Sequence, residues 1–480
     1  MFMKKAFALL LASLCLATSS PAAANPNILL ILVDDMGYGD AGCYNPDSKI
    51  PTPNIDSLAR DGMRFTDAHA AGSVCHPSRY GLLTGQHPWR VNTNVWRKQP
   101  VIADSRMTVA SLLKSRGYRT AMVGKWHLGF AENGYENPLP GGPVDRGFDS
   151  YFGIRASTDI PPYFYIRGNK AVAPPTDNIA ANYSEDGWNK IQGAFWREGG
   201  IAPGLKLKNV LPRFTDEACD VIRKHGKADT DKPLFLYLAY PAPHTPWLPT
   251  KPYIGKSKAG MYGDFAFMVD DMVGKVLKTL DNAGMAEDTL VILSSDNGPV
   301  WYDKDVKRYG HDSVGGLRGM KGDAWEGGHR MPFLVRWPGQ VKAGSVSDQT
   351  ISFTDMLATF AAITGKKLPK GAGPDSFNIL PVLKGTQPQG KAIRGPVVNQ
   401  ASRGSTAIRS GKWKLITALG SGGFSEPRKV KPTKGGPTGQ LYDMSKDRNE
   451  TTNLWLKHPK VVAQLQAELK RIQAAEQTRP

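Results

Sequence analysis

The 480 residues predict an α/β fold: a large, mostly parallel β-sheet sandwiched by helices, followed by a smaller C-terminal α+β subdomain. Three observations carry this reading. Four apolar runs each end in a polar cluster, helical patterns fall between them, and the pattern changes character from about residue 386 onward. NILLILVDD makes residues 27–33 a near-continuous apolar strand closed by Asp34 and Asp35. RTAMVGKWH ends in Lys125 and His127, PLFLYLAYPAPH in His244, and TLVILSSDN in Asp296 and Asn297. Runs that are apolar throughout suit strands covered on both faces, as in a parallel sheet. DSLARDGM, TVASLLKSRG and FAFMVDDMVGKVLKTLDNAG supply the intervening helices. In the last stretch, ASRGSTAIRSGKWKLI and QLYDMSKDRNETTNL read as short antiparallel strands, and HPKVVAQLQAELKRIQAA as an amphipathic closing helix. The Gly-, Pro- and Lys-rich SGGFSEPRKVKPTKGGPTG between them reads as a mobile loop.

Residues 1–24 precede this pattern. Lys4 and Lys5, the apolar run AFALLLASLCLA and the small residues SSPAAA follow the order of a secretory signal cut near Ala24, and the run is too short to span a bilayer. The expected divisions are therefore a signal over 1–24, a large domain over 25–385 and a C-terminal subdomain over 386–480. No later run is transmembrane in character, so stable membrane insertion is not expected. A short Lys-Lys signal points to a bacterial periplasm or secretion, and to a lysosome in a eukaryotic host, where the sequons at Asn182 and Asn449 would matter. Without Lys4 and Lys5 the formal charge falls from +18 to +16. That excess suits a polyanionic partner, and export together with the lack of a zinc-finger or basic-zipper pattern argues against nucleic acid.

In open α/β sheets ligands bind outside the carboxyl ends of the strands, where all four polar clusters lie. One cluster alone is an ordinary strand-end cap; four together imply a site. Asp34, Asp35, Asp296 and Asn297 are hard oxygen donors, suited to calcium or magnesium and giving little reason to expect zinc. Adjacent aspartates repel strongly unless a cation lies between them. Three cysteines follow the signal. Cys43 and Cys219 are either a pair or two buried free thiols, and the odd number leaves Cys75 for separate chemistry. Beside Arg79 and near a helix start, Cys75 is expected to have a lowered pKa and to be nucleophilic. A thiol protease would also need a histidine base held by a third group, which the local sequence does not require.

CHPSRYGLLTG offers another reading. It resembles the signature of the type I sulfatases, C-x-P-S-R followed by T-G, matched by Cys75, Pro77, Ser78, Arg79, Thr84 and Gly85. The resemblance extends from NILLILVDDMGYGD to LYDMSKDRNETTNL and implies an alkaline phosphatase-like fold. It further implies that a formylglycine-generating enzyme converts Cys75 to formylglycine (3-oxoalanine), whose hydrate is the nucleophile. One hydroxyl of that hydrate attacks sulfur and releases the alcohol, and the second lets sulfate leave; a serine could complete only the first half. By the same resemblance Asp34, Asp35, Asp296 and Asn297, with an oxygen of modified residue 75, hold one calcium ion. Arg79 holds the hydrated aldehyde, Lys125 in GKWHLG binds sulfate, and His127 partners the nucleophile. His244 in PAPHTP donates a proton to the leaving alcohol, Lys321 in LRGMKGDAWEGGHR is a second sulfate-binding lysine, and Ser157 in GIRASTD is a substrate-binding serine. His311 in RYGHDS is a further candidate substrate contact.

The implied activity is hydrolysis of sulfate esters on a sulfated glycan, with a phosphonate or phosphodiester hydrolase, or a non-catalytic glycan-binding homologue, as the alternatives. Trp96, Arg97 and Lys98 are either a sugar-stacking platform or a solvated basic turn. Trp301 and Tyr302 line the pocket or pack in the core.

Overall fold

The computed structural model describes residues 25–185 and 187–479, so the signal expected over 1–24 lies outside the described residues. In chain order the large sheet takes β1 (Asn27–Asp34), β2 (Met63–Phe65), β3 (Arg119–Lys125), β4 (Ser150–Ile154), β5 (Tyr165–Arg167), β6 (Lys170–Ala171), β7 (Leu234–Pro243), β8 (Thr289–Ser295), β9 (Phe333–Arg336) and β10 (Ser345–Ser347). Their spatial order is β10-β2-β9-β8-β1-β7-β3-β4-β5-β6. The central five, β8-β1-β7-β3-β4, are all parallel, and antiparallel pairings with β9 and β5 begin the two flanks.

The helices that matter here are α1 (Pro53–Arg60), α2 (Cys75–Thr84), α3 (Val109–Lys114), α4 (Val210–Gly226), α5 (Gly260–Asn282), α6 (Met356–Ile363) and α7 (Pro459–Ala474). Every second β1 side chain, Ile28, Leu30 and Leu32, joins a core built with α2, α3 and α6. The alternate set, Leu29, Ile31 and Val33, joins a second core built with α1, α4 and α5. A strand with both faces covered reads as a continuous apolar run, which is why β1 shows no polar alternation. Each such side chain contributes roughly 1.5–3 kcal/mol on burial, which favours the centre of the sheet over its edge. α5 buries Phe265, Met268, Val269, Met272, Val273, Val276 and Leu280, the three-and-four spacing of a helix laid on a sheet.

The C-terminal sheet is antiparallel and runs β11 (Val397–Gln400), β12 (Thr406–Ser410), β13 (Trp413–Ile416), β14 (Gln440–Asp443). α7 begins with a proline in its first turn and seats Val462, Leu465, Leu469 and Ile472 against Val398, Ile408, Leu415 and Leu441. Its join to the large sheet includes a buried ionic cluster. The Lys414 ammonium lies 2.8 Å from Glu326 Oε1, 2.8 Å from Glu450 Oε1 and 3.3 Å from His329 Nε2. Arg330 Nε donates to Glu326 Oε2 at 2.6 Å, and the Glu326 backbone N–H donates to Glu450 Oε2 at 2.6 Å.

One expectation changes here and one alternative is decided. The loop read as mobile is tied to the large domain at its start: the backbone N–H groups of Phe424 and Ser425 donate to Asp323 Oδ1 at 2.7 and 3.1 Å, and Ala324 N–H donates to the Ser421 carbonyl at 2.8 Å. Composition did not reveal that anchor because the acceptor lies about a hundred residues away. Cys43 and Cys219 are both free; Cys43 is half-buried, while Cys219 is buried in α4 and accepts from Thr279 Oγ1 at 3.2 Å. Among the described residues no helix is long and apolar enough to cross a membrane.

Candidate active site

Because β8, β1, β7 and β3 are neighbours, the residues at their carboxyl ends are neighbours too. Asp34 ends β1, and Asp35 turns the chain with φ 62, its N–H donating to Asp296 Oδ1 at 3.3 Å. Asp296 and Asn297 follow β8, His244 follows β7, and Lys125 closes β3, two residues before His127 (φ 58). Gly124 is required where β3 meets β7: it has φ 120, and a Cβ there would stand 1.9 Å from the Ala239 carbonyl oxygen. Cys75 is the first residue of α2, and Arg79, four residues on, shares its helical face.

Cys75 Sγ lies 3.4 Å from Asp34 Oδ1 and 3.3 Å from the Lys321 ammonium, which also donates to Asp35 at 2.6 and 2.8 Å. The Lys125 ammonium donates to Asp34 Oδ2. Arg79 is fully buried; it donates to Asp296 Oδ2 at 3.0 and 2.8 Å, to Asp34 Oδ2 at 3.2 Å and to the Lys125 carbonyl at 3.0 Å. Its hydrogen bonds therefore brace the carboxylates and β3. Three buried carboxylates and three buried cations occupy one small volume.

Burial pushes the Asp34 carboxyl up, but Lys125, His244, Arg79 and Lys321 together outweigh it and hold Asp34 well below the usual carboxylate range. For Asp296 burial and the Asp34 charge prevail over Arg79 and Lys125, raising it to about 6, and Asp35 is raised chiefly by burial against Lys321. Burial, then Asp296 and Asp34, drive the Cys75 thiol far up, which reverses the expectation of a lowered pKa. The Arg79 charge is already engaged by two carboxylates, so residue 75 as a thiol is protonated and a poor nucleophile.

His244 is lowered to about 4, chiefly by burial and then by Lys321. Its Nδ1 lies 2.6 Å from the Thr245 carbonyl oxygen, which assigns the ring hydrogen to Nδ1 and leaves Nε2, 3.6 Å from Asp35 Oδ2, as the basic nitrogen. His127 is held neutral by burial and by Lys125, packs edge-on against Trp96 at 4.3 Å, and has no hydrogen-bond partner on either ring nitrogen. Ser157 Oγ, Asp159 Oδ1 and Asn297 Oδ1 are also buried without partners. Buried polar atoms are nearly always satisfied, so a set of orphans on the loops around one cluster marks where a ligand completes the structure. Ligand atoms of Asp34, Asp35, Cys75 and His244 all lie within 4.8 Å of one another. Within that group the oxygens of Asp34 and Asp35, with Asp296 and the orphaned Asn297 oxygen, are hard donors that could hold calcium, whereas the Cys75 sulfur and His244 nitrogen are not of that kind.

His311 does not join this group. It is fully buried, with Nε2 2.8 Å from Asp40 Oδ1 and Nδ1 accepting from the Lys49 N–H at 3.3 Å, so neither nitrogen is left for substrate. Trp301 belongs to the core, its ring tilted against those of Trp247, Tyr262 and Tyr309. Tyr302 caps a short helix. Trp96 is buried behind His127 with Arg97 over its ring, so it is no open stacking platform.

Sequence reasoning missed Asp159, whose Oδ1 is 3.8 Å from His244 Nδ1, and His76, which packs 5.5 Å from His127. The signal for Asp159 was present: DSYFGIRASTD is a fifth apolar run ending in polar residues, shorter than the others because β4 has only five residues.

A profile of the family described as Sulfatase matches residues 26–366. The chain belongs to the sulfatase family. It is 34% identical to the N-acetylgalactosamine-6-O-sulfatase of Bacteroides thetaiotaomicron, covering 92% of this chain and 91% of that one, and 33% identical to human arylsulfatase A, covering 92% and 85%. A solved protein of glycosaminoglycan metabolism in Bacteroides thetaiotaomicron superposes with a TM-score of 0.82 at 31% identity, over 94% of this chain and all of that one. The sulfatase is accordingly a sulfuric ester hydrolase on an α/β, alkaline phosphatase-like fold with a small antiparallel C-terminal sheet.

Proposed function

We propose that this sulfatase hydrolyses sulfate esters of a sulfated carbohydrate, using formylglycine made from Cys75 and one calcium ion. The observation that carries the reading is the position of Cys75: a buried, protonated thiol at the start of α2, between Asp34 and Lys321, unsuited to act as a thiolate and suited to be a precursor. N-acetylgalactosamine-6-sulfatases among the relatives make a 6-sulfated N-acetylgalactosamine the first substrate to test.

Asp34, Asp35, Asp296 and Asn297 would hold the calcium, with an oxygen on residue 75. Formylglycine supplies two geminal hydroxyls and calcium supplies Lewis acidity toward sulfuryl oxygens. Lys125 and Lys321 each bring three donors, of which the carboxylates here occupy only part, so the remainder orient the sulfuryl group and stabilise its developing charge. Arg79 keeps Asp34 and Asp296 in register and ties them to the Lys125 carbonyl. His244, with its ring hydrogen on Nδ1, leaves Nε2 to take up a proton first and then hand it to the leaving alcohol. His127 and Ser157 present unpartnered nitrogens and a hydroxyl for the nucleophile and substrate. The signal-like residues 1–24 support export to a periplasm or the medium.

Protein from a host with the modifying enzyme is expected to carry an aldehyde on residue 75, seen by mass spectrometry as oxygen in place of sulfur, and to release sulfate from 6-sulfated N-acetylgalactosamine oligosaccharides. Active protein with only unmodified cysteine would overturn the mechanism. Faster turnover of aryl phosphates or phosphonates than of aryl sulfates would overturn the substrate class.

A further inference from the structure

Far from Cys75, the edge of the large sheet forms one wall of an open groove of about 1230 Å³. The segment 339–350, which contains β10, is one side; the loop 382–396 and the 409–411 turn of the C-terminal sheet are the other. β10 is four strands from β1, roughly 19 Å at the usual strand spacing, so the groove is no part of the catalytic cluster.

Its lining is basic. Lys342, Lys384 and Lys391 are exposed, and none of the three makes an ion pair among the described residues. Arg409 borders the groove too, but its Nη2 lies 3.5 Å from Asp67 Oδ2 and its Nε donates to the Gly411 carbonyl at 2.6 Å, and among the described residues Asp348 is the one acid on the walls. Arg394 also borders the groove, but both of its contacts to Asp355 are at 2.8 Å and its charge is spent there. The loop that carries Lys384 and Lys391 is held in place. Gln349 Nε2 and Gln387 Nε2 both donate to the Lys391 carbonyl, at 3.2 and 2.9 Å, and Gln349 Oε1 accepts the Ile393 N–H at 2.9 Å. Unpaired lysines on a fixed loop repel one another, an arrangement that an anion relieves.

We infer that this groove is a non-catalytic binding site for the sulfated glycan chain, holding a stretch of polymer away from the sugar being hydrolysed. The inference rests on the proposed carbohydrate substrate and extends it: the ligand must carry repeated anionic groups on a chain long enough to present several to Lys342, Lys384 and Lys391 together. Polar side chains on both walls suit sugar hydroxyls, and a groove open to solvent accepts a chain that continues in both directions.

The test replaces all three lysines by glutamate, and separately by glutamine, far from the catalytic residues. Binding of a chondroitin 6-sulfate dodecasaccharide is measured by calorimetry in a Cys75→Ala background, and turnover is measured in the unaltered-cysteine background. The glutamate variant is expected to bind the dodecasaccharide roughly tenfold or more weakly, the glutamine variant less so, with KM for the polymer raised in parallel. Turnover of a small aryl sulfate should be unchanged in both, which also certifies the fold. Unchanged dodecasaccharide affinity and polymer KM would overturn the inference, as would equal affinity of the groove for a single-stranded DNA of similar charge. The two readings fail separately: wild-type protein that turns over no sulfate ester removes the proposed function, while the calorimetry reads the groove regardless of turnover.

Discussion

The sulfatase buries two ionic clusters of similar composition, and they are built for opposite ends. One gathers Asp34, Asp35, Asp296 and Lys125 from the carboxyl ends of β1, β3 and β8 with Arg79 of α2 and Lys321 of a loop. The other gathers Asp67, His69, Glu326, His329, Arg330, Lys414 and Glu450 where the C-terminal sheet meets the large domain. In the second cluster every charged group meets an opposite charge. His69 Nε2 is 3.0 Å from Asp67 Oδ1, and the Nδ1 atoms of His69 and His329 are 2.9 Å apart. Ligand atoms of His69, Glu326 and His329 also converge, and the Lys414 ammonium stands among them, as the Lys321 and Lys125 ammoniums stand among those of the first cluster. Around the first cluster, by contrast, Asn297, His127, Ser157 and Asp159 keep buried polar atoms with no partner. Each cluster keeps a buried oxygen without a hydrogen-bond partner, Asn297 Oδ1 beside the first and Glu450 Oε1 in the second, and the difference is the further orphans of His127, Ser157 and Asp159 around the first. A buried cluster whose lone pairs are mostly filled from within is a clamp, and one ringed by several open polar atoms awaits a ligand.

That contrast can be broken in several ways. The largest effect is expected at residue 75. Cys75→Ala should lower kcat/KM for an aryl sulfate by at least roughly a thousandfold, while the melting temperature moves little, because the thiol makes only weak contacts. Cys75→Ser should complete at most one turnover and trap a sulfate ester on residue 75; sustained turnover would contradict the two-hydroxyl account. Chelation should abolish activity, with calcium restoring it, and restoration by zinc alone would contradict the oxygen-donor assignment.

Next comes the clamp. Lys414→Met leaves Glu326 and Glu450 facing each other in a dry seam and should destabilise the fold by about 3–5 kcal/mol in denaturant titration. Adding Glu450→Gln should recover much of that loss, since Glu326 keeps Arg330. A single variant as stable as wild type would show that the cluster does not hold the two sheets together.

The same cluster predicts a pH effect of known sign. Burial pushes the Glu450 carboxyl up to about 7, with Glu326 adding and Lys414 opposing. The folded state therefore holds that proton more tightly than the unfolded chain, whose glutamate titrates near 4.5. Its contribution is fully present below about 4.5 and is lost as pH rises through 7. Glu450→Gln should gain on wild type across that window by on the order of 3 kcal/mol, and a difference that is flat with pH would remove the assignment.

The smallest expected effect on folding is at Ser157. Ser157→Ala removes a buried hydroxyl that has no partner, so stability should change by no more than about 0.5 kcal/mol, while kcat/KM for the sulfated sugar falls by roughly tenfold. A large loss of stability with unchanged activity would move Ser157 from the site to the scaffold.

Sequence alone determined the parts of this molecule whose cause is local. An apolar run of seven residues must be covered on both faces, so β1, β3, β7 and β8 and the polar residues that end them were legible from NILLILVDD, RTAMVGKWH, PLFLYLAYPAPH and TLVILSSDN. The Cys75–Arg79 spacing was legible because four residues make one helical turn. Tertiary structure decided whatever depends on a distant partner. His311 reads like a pocket residue until Asp40, 271 positions away, takes its Nε2. Cys75 reads like an activated thiol until burial, and then Asp296 and Asp34 closing around Arg79, leave it protonated. The start of the Gly-rich loop reads as mobile until Asp323 accepts two of its N–H groups. In each case the pattern along the chain names the group, and the protons and free lone pairs it keeps are set by charges that only folding brings within a few ångströms.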